Sequence, residues 1–106
     1  DDSMDDQGQI EIDKVGLTVK TLTAEMARQM GYGELKGVMV MNLDPLGLAA
    51  SAGLQVNDII VSVHGMPVTS ARMFWSELRK HDLTRGVRLT VQTGAYRRFV
   101  LLKVRE

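Results

Sequence analysis

The chain contains no cysteine. That excludes disulfides and thiolate metal sites, and it fits any redox compartment. Aromatic residues are few, two Tyr, two Phe and one Trp, so the core must be aliphatic, with seven Met to fill irregular gaps. Charge of one sign is also missing. Thirteen basic and thirteen acidic residues cancel, which removes the long-range field that draws proteins to nucleic acid or to anionic lipid. No apolar run approaches the roughly 18 residues of a membrane span, and no stretch reads as a secretory signal. Only His64 and His81 are available as imidazole bases.

What is present is organised around residues 46–65. Leu48, Ala49, Ala50, Ser51 and Ala52 lose little side-chain entropy on becoming helical, and Gly53 stands where a helix end wants a left-handed residue. Asn57 and Asp58 open a dense β-branched run over residues 59–63, short enough for a buried strand, which His64-Gly65 ends as a turn. One helical turn feeding one core strand is stable only inside a larger sheet.

The length of 106 residues suits one domain that buries about 60–65% of its unfolded surface. Residues 1–9 are polar and carry Asp1, Asp2, Asp5 and Asp6, which reads as a flexible linker. The spacing of a calcium loop is absent, so these aspartates are expected to be solvated and no metal site is expected. Residues 10–20 alternate, with Ile10, Ile12, Val15, Leu17 and Val19 apolar, and are expected to form one strand interrupted at Gly16. Thr23 is the expected cap of a helix over residues 24–30, closed by Gly31. Residues 37–43 form a strand apolar on both faces, stopped by Asp44-Pro45. Thr69 or Ser70 caps a helix running to about His81, with Ala71, Phe74, Trp75 and Leu78 on one face. Residues 87–92 alternate, residues 93–96 turn, and Val100, Leu102 and Val104 alternate behind them, which makes a closing hairpin. These elements predict a small α+β barrel or sandwich.

The run from Asp44-Pro45 through Ala52-Gly53-Leu54, Asn57-Asp58-Ile59-Ile60-Val61, His64-Gly65 and Pro67-Val68 resembles the central signature of PDZ domains. Asn57 stands where that family usually has Gly, and His64 where it usually has Asn. Both residue types tolerate left-handed turns. The flanks, Gly16-Leu17-Thr18-Val19, the stretch from Leu22 to Gly31, Gly37-Val38-Met39-Val40 and the tail from Tyr96 to Leu102, are similar to the permuted PDZ domains of bacterial Do-like (HtrA) serine proteases, most of all a second, C-terminal PDZ. The resemblance implies a permuted, five- to six-stranded, partly open barrel with two helices and a short helical turn, over residues 10–106.

It also implies a function: capture of extended or C-terminal peptides by strand addition beside the first strand and the long helix. Val15, Gly16 and Leu17 match the family's carboxylate loop, whose amides converge on the ligand's end; Thr18 and Val19 would add the peptide to the sheet; Ala71, Trp75 and Leu78 would form the helical wall, with Phe74 turned to the core. Lys14 is expected to be solvated. Leu17, as a pocket residue, is expected to accept a charge without loss of the fold. The implied partners are peptide or protein C-termini with an apolar last residue, a protease domain of the same protein, or oligomer partners. Neither nucleic acid nor membrane contact is expected, and the implied location is the periplasm or cell envelope. No cofactor is implied.

An alternative is a scaffold or assembly PDZ whose groove is blocked, Trp75 being the residue large enough to do so. A PDZ from an intramembrane or C-terminal-processing protease is a third reading. An enzyme is disfavoured: Ser51, Ser62, Ser70 and Ser76 lie in no nucleophile elbow, and Gly31-Tyr32-Gly33 lacks the Lys-Ser/Thr of a phosphate loop.

Overall fold

The computed structural model describes residues 8–104. The run expected as one strand over residues 10–20 folds back on itself. β1 (Gln9–Ile12) and β2 (Leu17–Thr21) are an antiparallel pair, with Ile10 opposite Val19 and Ile12 opposite Leu17. The cause lies in the apolar spacing. Ile10 and Ile12 are two apart, but Ile12 and Val15 are three apart, so the period slips there. Gly16 completes the turn at φ 69°, a left-handed value that a side chain disfavours. Most of the expected linker, residues 1–7, lies outside the described residues, whereas Gln9 already belongs to β1.

β2 pairs on its other side with β3 (Val38–Leu43), with a bulge between Thr18 and Val19. β3 pairs with β4 (Ile59–Val63), which also takes the two-residue β5 (Met66–Pro67) and then β6 (Val87–Thr93). β7 (Tyr96–Leu102) completes an open antiparallel sheet in the order β1-β2-β3-β4-β6-β7. Seven strands replace the expected five to six, because the first run divides and Met66-Pro67 makes a short bridge; the α+β class stands.

Among the described residues, three helices accompany the sheet. α1 (Ala24–Gln29) starts at Thr23, whose Oγ1 accepts the Met26 N–H at 3.1 Å. It explains why β3 is apolar on both faces: Met39 and Ile59 bury against Leu22 and Ala27 on the α1 side, while Val38 and Val40 face the main core. α2 (Leu48–Ser51) is the Ala-rich turn, followed by Gly53 at φ 103°. α3 (Ala71–Arg79) is capped by Ser70, whose Oγ accepts the Met73 N–H at 3.1 Å, and ends two residues before His81. Asn57 and His64, the two departures from the family pattern, adopt positive φ values of 77° and 51°.

The main core is aliphatic around one buried ring, Phe74. Among the described residues, Asp58 is the buried polar exception. Its carboxylate accepts from the Gln55 N–H (3.0 Å), Thr93 Oγ1 (3.0 Å) and the Arg98 guanidinium (2.8 Å), which satisfies it. This pair ties the approach to β4 to the edge strand β7.

Candidate peptide groove

The loop over residues 13–16 is pinned to the segment before α2. The Gly16 carbonyl accepts the Asp44 N–H at 3.0 Å, and the Val15 carbonyl accepts the Ala49 N–H at 2.9 Å. A Cβ on Gly16 would lie 3.0 Å from both Asp44 Cβ and Gly47 Cα, so glycine is required by space as well as by φ. Using the Val15 and Gly16 carbonyls in this way leaves their N–H groups for another acceptor. That acceptor is the Ile12 carbonyl oxygen, 3.3 Å from the Val15 nitrogen and 3.0 Å from the Gly16 nitrogen. Gly16 N–H is shared with the Asp13 carbonyl at 3.2 Å.

Thr18 and Val19 lie in β2, and both edges of β2 are paired, one with β3 and the other with β1. α3 packs against β1, β2 and β4, and its first N–H, from Ala71, donates to Thr21 Oγ1 at 2.9 Å. The structure thus brings together the loop, the strand and the helix singled out from the sequence. It also places Gln9–Ile12 along the edge of β2 that a peptide would need. Ile10 and Ile12 are each only 2% exposed, in one cluster with Val15, Leu17, Val19, Ala71, Phe74 and Leu78.

Two consequences follow for single residues. Leu17 is 2% exposed and lies in that core, so the expectation that it tolerates a charge is corrected: an ammonium there would be buried without a partner. Trp75 is half-buried, packed against the cluster with the Arg79 guanidinium 5.6 Å from its ring centre. Lys14 is exposed.

Outside the groove, the His64 and His81 rings meet with centroids 4.3 Å apart, joining the β4–β5 turn to the end of α3. Asp82 is held below the usual carboxylate range, chiefly by the Thr84 hydroxyl (2.7 Å) and then by the Thr84 N–H (2.9 Å), which fixes the turn into β6. An open hollow of about 1050 Å³ lies between α2 and β7, bordered by Leu46, Leu48, Leu101 and Lys103 and reaching Lys14 of the 13–16 loop. Two features escaped the sequence reading. The role of β1 was signalled by the slipped period after Ile12; the Asp58–Arg98 pair had no local signal, because its partners are 40 residues apart.

Residues 13–104, which hold every one of these elements except β1, match the family model for the PDZ domain. The chain belongs to the PDZ family. As a PDZ domain it is a non-catalytic module, and its similarities run to HtrA proteases. It is 29% identical over 102 residues to a probable periplasmic serine endoprotease DegP-like of Chlamydia pneumoniae, covering 95% of this chain and 21% of that protein. It is 39% identical over 57 residues to the serine endoprotease DegS of Escherichia coli K12, covering 54% of this chain and 16% of that protein. The PDZ domain thus spans about a fifth of the curated relatives it matches. Among solved structures, the HtrA3 PDZ domain bound to a phage-derived ligand (FGRWV) superposes with a TM-score of 0.73 at 20% identity, over 84% of this chain and 81% of that one. The HtrA-type protease AlgW with decapeptide superposes with a TM-score of 0.72 at 24% identity, over 84% of this chain and 27% of that one.

Proposed function

We propose that this PDZ domain captures extended peptides, above all C-termini with an apolar last residue, in the groove between β2 and α3. It would serve as a substrate-recognition or regulatory domain of a Do-like serine protease, as that protein's second PDZ, in the periplasm or cell envelope. One observation carries the reading. The groove holds an extended segment, antiparallel to β2, with two alternate apolar side chains buried and a carbonyl oxygen on the Val15 and Gly16 amides. A pocket that accepts this segment has the chemistry to accept a peptide of the same pattern. The peptide-bound states of the HtrA3 and AlgW structures support it by analogy of fold.

The occupied edge also favours a second reading, an assembly PDZ whose groove is closed by β1. Titration separates the two. Peptides ending in an apolar residue are expected to bind at about 1–100 μM, since a short added strand orders much and buries little. Amidating the terminus should weaken binding at least about tenfold, because the amides then face a neutral acceptor. The half-buried Trp75 indole reports occupancy by its emission. Absence of binding by every peptide of a C-terminal library, with an unchanged Trp75 spectrum, would leave only the assembly role.

A further inference from the structure

β1 is seated as a ligand would be. It runs antiparallel to β2, its last residue Ile12 offers a carbonyl oxygen to the Val15 and Gly16 N–H groups, and Ile12 and Ile10 bury side chains at the last and third-last positions. Glu11, between them, is exposed and faces Thr18. β1 also lies upstream of residues 13–104, the stretch that matches the PDZ family. We propose that Gln9–Ile12 is a built-in competitor that occupies the peptide groove, so that an external peptide binds only as β1 leaves the edge of β2. The proposal rests on the peptide-binding reading above, and it specifies the displacing ligand: a free C-terminus with apolar residues at its last and third-last positions.

The energetics permit exchange. The four-residue connection over residues 13–16 gives β1 a high effective concentration, so it wins against weak ligands. Its terminal acceptor, however, is a neutral amide carbonyl. A ligand carboxylate presents a full charge to the same two N–H groups, and charge-assisted hydrogen bonds are about twice as strong as neutral ones. The apparent affinity for an external peptide is then its intrinsic affinity reduced by the fraction of molecules in which the edge is open.

The absence of cysteine makes the test clean. The Thr21 N–H donates to the Gly8 carbonyl, and hydrogen-bonded pairs alternate along an antiparallel ladder, so Glu11 and Thr18 face each other as a non-hydrogen-bonded pair. The double variant Glu11→Cys/Thr18→Cys can therefore lock β1 in place by oxidation and release it by reduction. The probe is a hexapeptide Gly-Gly-Gln-Ile-Glu-Ile with a free carboxylate, titrated by calorimetry against both redox states, with circular dichroism confirming the fold in each. The reduced form should bind and the oxidised form should not. A third protein, Ile12→Ser, weakens the competitor and should bind the probe about tenfold tighter than the unaltered chain. Equal binding by the oxidised and reduced forms overturns the competitor while leaving peptide capture intact. No binding by any of the three, Ile12→Ser included, overturns peptide capture itself. Failure of the folded double variant to oxidise overturns the register on which the competitor depends.

Discussion

Asp58 shows what one buried carboxylate does in this fold. Its side chain is 3% exposed and its partner Arg98 is 36% exposed, so the guanidinium remains partly hydrated while the carboxylate depends on its three donors. Asp58→Ala is expected to cost about 2–3 kcal/mol in chemical denaturation, the size of a lost charged hydrogen-bond set discounted for the wet side of the pair. Gly16→Ala should cost about 1–2 kcal/mol, since alanine must take φ 69° with its Cβ 3.0 Å from Gly47 Cα. Leu17→Lys should destabilise by several kcal/mol, because its site is core covered by β1. A melting temperature unchanged by Leu17→Lys would show that β1 does not cover this residue in solution.

At the scale of elements, most of the fold was written in local chemistry. Thr23 and Ser70 were readable as caps because a hydroxyl just before a helix satisfies a free amide, and both do so at 3.1 Å. Ser70→Ala should cost about 1 kcal/mol in thermal unfolding, and an unaffected melting temperature would mean that the cap adds nothing beyond water. The β4 run was legible from its β-branched residues, and α2 from its alanines. β1 was not, because a period-two pattern says which face is buried and is silent on whether the chain doubles back. The three-residue step from Ile12 to Val15 and the glycine at 16 marked the reversal. The same limit applied to the site. Val15, Gly16, Leu17, Ala71, Trp75 and Leu78 were proposed by resemblance to a family, and a family pattern describes a groove and not what lies in it.

On the scale of the whole molecule, the open sheet has two ends, β1 against α3 and β7 beside the hollow next to α2. In the proposed mode, peptide addition at the first end uses the Val15 and Gly16 amides; addition at the second would use neither. Both ends are visible at once to amide chemical shifts. The decisive measurement is a two-dimensional ¹H–¹⁵N titration with a peptide ending in an apolar residue with a free carboxylate. The largest shifts are expected on the amides of Ile10, Ile12, Val15, Gly16 and Leu17 and on the Trp75 indole, with β7 unmoved. Shifts confined to residues of β7 and α2, with the amides of residues 10–17 unchanged, would contradict capture in the groove.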